Sequence, residues 1–196
     1  LASLLQAHSL FGSLADQHGQ AGTLNWIGNV YLRMGNYPSA LDYYLQSSVI
    51  SEELNDSQLT ASCLTNIGRV YYGMGDYAHS LDYHLRSLRL REDMTDRLEE
   101  AMVSWDISRT YYGMEEFDNA LLYCLHSLRI RRNLRDFRGM AASLHVLGDI
   151  YQKTGDYFRA LLNYRRALVA VQIVDEKYGE AMTNSRVGSL YLQLNR

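Results

Sequence analysis

The sequence matches itself at a shift of 40 residues, and the register never slips from one end to the other. One column of this self-alignment reads Gly28, Gly68, Ser108, Gly148, Gly188, and three places on another reads Tyr31, Tyr71, Tyr111, Tyr151, Tyr191. Tyr37, Tyr77, Phe117 and Tyr157 form a third column, and Ala40, Ser80, Ala120 and Ala160 a fourth, each followed by a leucine. Asp16, Asp56, Asp96, Asp136 and Glu176 align as well, as do Ala21, Ala61, Ala101, Ala141 and Ala181. Counted from the alanine column, four full repeats (21–60, 61–100, 101–140, 141–180) are flanked by half repeats 1–20 and 181–196. A unit of this size cannot bury an apolar face alone, so each repeat must cover its neighbour.

Within a repeat the apolar spacing is helical. Leu64, Ile67, Gly68, Tyr71 and then Tyr77, Leu81, Leu85, Leu88 follow steps of three and four. Two helices per repeat follow, joined at Met34–Tyr37, Met74–Tyr77, Met114–Phe117 and Thr154–Tyr157. The glycines there suit a left-handed residue closing the first helix, and the Asn or Asp that follows suits the N-cap of the second. Pro38 falls in a first helical turn, where its missing N–H is harmless. Small residues in the Gly28 column are expected to let two backbones approach, with tyrosine one turn later filling the space beside them. The predicted fold is all-α, built from antiparallel helix pairs.

Leu24-x2-Ile27-Gly28-x2-Tyr31 followed by Ala40-x3-Tyr44 resembles the tetratricopeptide repeat pattern over the whole chain. The usual period is about 34. The additional residues fall between Ser47 and Ala61, where they are expected to lengthen the second helix and its exit loop, by about 9 Å if helical. This long form is similar to the repeats of Pins/LGN-type polarity adaptors and of bacterial signalling proteins. The resemblance implies a single solenoid domain, a right-handed superhelix of about ten helices, probing a partner with a concave groove lined by the first helices. Carried over residue by residue, that groove holds Asn25, Asn29 and Arg33; Thr65, Arg69 and Tyr72; Trp105, Arg109 and Tyr112; and His145, Asp149 and Lys153. The departures from the pattern cluster in the third repeat, at Ser108, Glu115 and Trp105, which is therefore expected to be the weakest link or a specialised surface.

Composition narrows the function classes. A formal charge of -3, thinly spread, supplies no field for nucleic acid or anionic lipid. The most apolar stretch, 167–174, is far shorter than the roughly 20 residues of a membrane span. The chain opens on Leu1 with no secretory pattern, as an excised piece does. Cys63 and Cys124 stand apart without a CxxC motif, which points to reduced thiols in a cytoplasmic protein. No GxSxG elbow, phosphate-binding glycine loop or HExxH occurs, so the chain is read as non-enzymatic, with no cofactor and no metal. His84 and Cys124 share a column that also holds Tyr44 and Tyr164, which marks a packing position rather than a thiol–imidazole pair. Fifteen of the 16 tyrosines fall in five repeat columns, so most belong to the core; Tyr72 and Tyr112 are turned about 100° from it. The basic runs at 88–91 and 128–132 lie near acidic residues and are read as solvated helix surface.

The leading functional reading is a module that binds a protein or peptide segment in its groove. Arg33, Arg69, Arg109 and Lys153 give that groove a broken basic line suited to acidic ligands, with Arg69 and Arg109 expected about 10 Å apart. The alternative is that Asp106 and Asp149 neutralise these arginines within the groove. Two further readings stand beside it: a sensory region of a larger signalling protein, and self-association through apolar half-repeat faces at Leu4, Leu5 and Leu10 and at Val187, Leu190, Tyr191 and Leu194.

Overall fold

The computed structural model describes residues 1–194. Among them are ten helices and no strand: α1 (Ala2–Ser13), α2 (Gln17–Arg33), α3 (Tyr37–Glu53), α4 (Ser57–Gly73), α5 (Tyr77–Asp93), α6 (Arg97–Gly113), α7 (Phe117–Leu134), α8 (Phe137–Lys153), α9 (Tyr157–Ile173) and α10 (Lys177–Leu194). They form two compact units, one ending at Asp96 and the other beginning at Arg97. Within each unit consecutive helices pack as antiparallel pairs, and α4 also meets α2, as α8 meets α6 and α10. This is the helical-hairpin stacking of a solenoid.

One turn design explains the regular helix lengths. Each helix ends two residues before a left-handed residue, or one before it in α7, and the residue after the left-handed one stands at the cap position of the following helix. Gly35, Gly75 and Gly155 take φ of 73°, 79° and 82°, as the sequence predicts. Ala15, Asn55, Thr95, Glu115, Arg135 and Asp175 take the same conformation, with φ between 50° and 61°, although each carries a Cβ. The cap then works through a side-chain oxygen: Asp16 accepts from the Gly19 N–H, Asn36 from Ser39, Asp56 from Leu59, Asp76 from His79, Asp136 from Gly139 and Asp156 from Arg159. Glu116, one methylene longer, makes no such bond.

The expected long exit loop is absent. Leu54 to Asp56 forms a turn as tight as Met34 to Asn36, so the residues beyond the usual period extend the helices alone. The repeat joints therefore fall at 56/57, 96/97 and 136/137, and the Ala21 column lies inside the first helix of each pair.

Packing between paired helices rests on the Gly28 column, though not by backbone approach. The Tyr44 ring lies across Gly28, where an added Cβ would come within 2.6 Å of it; the His84 ring lies across Gly68 at the same distance, and Tyr164 across Gly148. These rings are essentially buried. In the third repeat both members change: Ser108 faces the small Cys124, and its hydroxyl donates to the Ala120 carbonyl at 2.7 Å. The Ser108 hydroxymethyl group stands beside Cys124, where the other repeats place glycine beside a ring. A second set of large-over-small contacts joins each pair to the next helix, with Phe11 over Gly19, Arg131 over Gly139 and Val171 over Gly179.

Two arginines of the basic runs are not solvated. Arg91 and Arg131 are 1% and 5% exposed. Each reaches an acid in the turn after its helix, Arg91 to Asp96 at 3.1 Å and Arg131 to Asp136 at 3.7 Å, and the Asp136 carboxylate serves both the α8 terminus and a guanidinium. Half-repeat faces are also partly covered. Leu190 is fully buried against Ala160 and Tyr164, and Val187 packs beside it, whereas Leu5, Leu10, Tyr191 and Leu194 are exposed.

If ring and small residue are complementary, the two positions are coupled. Cys124→Tyr alone is expected to lower stability by about 1–3 kcal/mol through overpacking, and Ser108→Gly added to it to recover part of that loss. Denaturant unfolding of the four members of this cycle checks it, and simple additivity would contradict it.

Candidate functional site

The first helices α2, α4, α6 and α8 each turn a packing face toward their partner helix and a second face away from it. Four-residue steps put Asn25, Asn29 and Arg33 along one side of α2, and Trp105, Arg109 and Gly113 along the corresponding side of α6.

In the first unit, Asn29 is held by the core. The Tyr44 hydroxyl, whose ring covers Gly28, donates to Asn29 Oδ1 at 2.9 Å. Burial raises the Tyr44 phenol above its ordinary range, which keeps it a neutral donor. Asn25 Oδ1 accepts from Asn66 Nδ2 at 3.0 Å, and the Arg69 guanidinium stands 3.5 Å from Asn66 Oδ1. Asn66 thus links Asn25 with Arg69. Tyr72 packs against Tyr77, ring centres 5.6 Å apart, and Arg33 is exposed. Thr65 does not line an open face: it is 4% exposed, and its hydroxyl bonds the Ala61 carbonyl and the Ser87 hydroxyl.

In the second unit the same positions carry different chemistry. The Arg109 guanidinium lies over the Trp105 ring, 4.7 Å from its centre, while the indole N–H donates to the Ala142 carbonyl at 3.2 Å. Tyr112 meets Phe117 edge to face. Asp149 accepts from the Tyr164 hydroxyl at 2.7 Å, repeating the Tyr44–Asn29 contact three repeats earlier. Its carboxylate is also engaged by Arg186 on α10, at 2.5 and 2.7 Å from the two oxygens. Burial raises the Asp149 carboxyl above its usual range, against the opposing pull of Tyr164 and Arg186. His145 Nε2 is hydrogen-bonded to the Thr183 hydroxyl at 2.8 Å, and that hydroxyl donates to the Gly179 carbonyl. Burial, and then the Arg186 charge, push the imidazole down to about 4. Lys153 is exposed.

Asp149 is therefore neutralised by Arg186, a position the groove pattern does not mark, rather than by an arginine of its own column. Asn66 and Arg186 share a repeat column with Trp26, Asp106 and Val146, and its mixed chemistry hides it. A column relation does predict the tyrosine contacts. Where the packing residue is Tyr44 or Tyr164 the groove position is an acceptor, Asn29 or Asp149; where it is His84 or Cys124 the position is Arg69 or Arg109.

The cysteines offer little chemistry. Cys124 donates to the Ser143 carbonyl and Cys63 to the Ser47 hydroxyl, each at 3.1 Å. Burial pushes Cys124 up to about 12 and Cys63 up to about 11, the reverse of what an attacking thiolate needs. Both thiols are free and buried. Among the described residues no group of three or more His, Cys, Asp or Glu is placed to hold a metal ion, and no helix is long and apolar enough to cross a membrane.

The tetratricopeptide repeat family profile matches residues 19–93 and 98–173, and the chain belongs to that family. Its fold is that of a helical-repeat scaffold. No curated protein matches the sequence. Among solved structures it is similar to BtubC from P. vanneervenii, with a TM-score of 0.85 at 17% identity over 99% of this chain and 82% of that one. It is also similar to the apo form of RapI, with a TM-score of 0.84 at 18% identity over 99% of this chain and 75% of that one. A third similar structure is a Signal Transduction ATPase with Numerous Domains from Pyrococcus horikoshii, which has a tetratricopeptide repeat sensor; its TM-score is 0.79 at 16% identity, over 90% of this chain and 28% of that one. At these identities the likeness is one of fold.

The buried, neutral His145 sets a pH dependence. Its ordinary value is 6.5 and its folded value about 4, so between these the unfolded chain binds the extra proton. Its contribution to stability is complete above pH 6.5 and is lost as pH falls toward 4. Asp149, raised in the folded state, works in the opposite sense over its own titration range. Urea unfolding of wild type and His145→Gln at neutral and acid pH isolates the histidine. The wild type is expected to lose more stability than the variant over this interval, and parallel losses would contradict the assignment.

Proposed function

We propose that this tetratricopeptide repeat protein is a non-enzymatic interaction module that holds a peptide segment of a protein partner against the inner faces of its first helices. The observation that carries this reading is that each unit holds polar and aromatic side chains on its first helices that are half-exposed yet fixed in place. Tyr44 anchors Asn29, Asn66 links Asn25 to Arg69, and Trp105 supports Arg109. Groups already ordered lose less entropy when a ligand arrives, so each bond formed contributes more to affinity. The packing positions beside them, Ile27, Ile67, Ile107 and Ile150, are fully buried and explain themselves.

Charge favours an acidic ligand. Arg33 and Lys153 are exposed at the ends of their helices, and Arg186 offsets the Asp149 carboxylate, which leaves positive charge on a chain whose formal net charge is -3. A second reading, a sensory region within a larger signalling protein, draws support from the Pyrococcus horikoshii structure, whose repeats are described as a sensor.

Titration with acidic 12-residue peptides tests the leading reading. Arg109→Glu and Lys153→Glu in the second unit, and Arg33→Glu in the first, are each expected to weaken binding several-fold to a hundred-fold, about 1–3 kcal/mol. Unchanged affinity with intact helicity would overturn it.

A further inference from the structure

A cleft of about 450 Å³ opens in the second unit, away from the face just described. Its floor is the N-terminal half of α8, at Phe137 and Met140, and its walls come from the second helices α7 and α9, at Leu128, Val169 and Ile173. Its volume lies within the range of ligand sites. Val169 and Ile173 are 57% and 58% exposed, a large share for β-branched side chains on one helix face. The apolar strip also runs beyond the cleft, through Leu125 on α7 and Leu162 on α9, both exposed. Arg132 and Arg166 stand at the rim. Both are exposed, and among the described residues neither joins an ion pair.

The repeat supplies an internal control. Eighty positions earlier, where α3, α4 and α5 occupy the same places in the first unit, Leu128 is replaced by Ser48, Arg132 by Glu52, Phe137 by Ser57, Met140 by Thr60, Val169 by Arg89 and Ile173 by Asp93. Repeat packing needs none of these positions to be apolar, since the first unit stacks with polar residues at each. Ser48 even donates to Glu52 there at 3.2 Å. On the rim Arg166 keeps its type, as Arg86, which there stands 4.0 Å from Asp82. The apolar lining and the second rim cation, Arg132, are thus properties of one copy, and helix stacking does not account for them.

We propose that this cleft is a second docking site, which takes an amphipathic helical segment of a partner protein whose apolar side chains are flanked by carboxylates. The apolar side chains, at steps of three and four residues, enter between α7 and α9, and the carboxylates meet Arg132 and Arg166. The apolar strip outruns the cavity, so a chain segment is matched better than a compact small molecule. The unpaired guanidiniums fix the sign of its charge.

The test uses the full 196-residue chain and two labelled 18-residue amphipathic peptides, identical except that one has Glu and the other Lys beside its leucines. The Glu peptide is expected to bind at least tenfold more tightly than the Lys peptide. Arg132→Glu/Arg166→Glu should reverse that preference, which also shows that the variant is folded. In an Arg109→Glu background, where the inner face is disabled and binding reports the cleft alone, Val169→Asp should weaken the Glu peptide at least tenfold. In the Arg109→Glu background, equal binding of the two peptides or binding of neither would overturn the proposal. Dodecanoate filling the cleft while no peptide binds would assign it to a small amphiphile, and a dimer in sedimentation abolished by Val169→Asp would assign it to a second copy; either result overturns it.

Discussion

The contact between a small residue on each first helix and the side chain laid over it from the second sets the geometry of every repeat. A side chain at Gly28, Gly68 or Gly148 would collide with a buried ring, so glycine there fixes how closely the paired helices approach. The ring is also a lever. Tyr44 and Tyr164 reach across the glycine and place their hydroxyls on Asn29 and Asp149, which carries core packing through to the polar face. Buried phenols need a partner, and these acceptors satisfy them. A residue that looks like part of a binding surface is at once a solution to a problem in the core.

The same economy governs the second interface. A carboxylate at the cap position accepts a backbone N–H of the helix it begins, and at Asp136 it also receives Arg131 from the helix before. Arg131 is buried because it serves this joint, while Arg132, the next residue along, faces outward to the α7–α9 cleft. Adjacent residues in one basic run thus have opposite roles. Glu100 shows a related arrangement on α6. It is 1% exposed and bonded to Arg97 and His126 at 2.7 and 2.8 Å, and although burial alone raises its carboxyl, those partners together hold it below the usual range.

Most of the fold was legible because repetition turns one weak pattern into several aligned copies. The helix pairs, the left-handed glycines and the Asn and Asp caps all follow from column composition. The second family of turns was less legible, since Asn55, Thr95, Arg135 and Asp175 share no residue type that favours positive φ; only the Asp or Glu after each marks the place. The face of the first helices was legible in outline, through positions offset from the packing columns. Its wiring was not. Asn66 and Arg186 act through contacts some 40 residues away in sequence, and Thr65 turns inward to Ser87, neither of which periodicity encodes. The third repeat is hard to read for a related reason. Ser108 is a departure in one column and Cys124 in another, and their compensation is visible only when the two columns are read together.

Native-state amide exchange tests that compensation most directly, because solenoid stability is nearly a sum of local and nearest-neighbour terms and a strained repeat opens before its neighbours. If large and small residues are matched in every pair, the helical amides of 101–113 should be protected to within about 1 kcal/mol of those of 61–73 and 141–153. Markedly faster exchange confined to 101–113 would show that Ser108 and Cys124 leave a real defect, and that the contact between paired helices is not complementary in the way described.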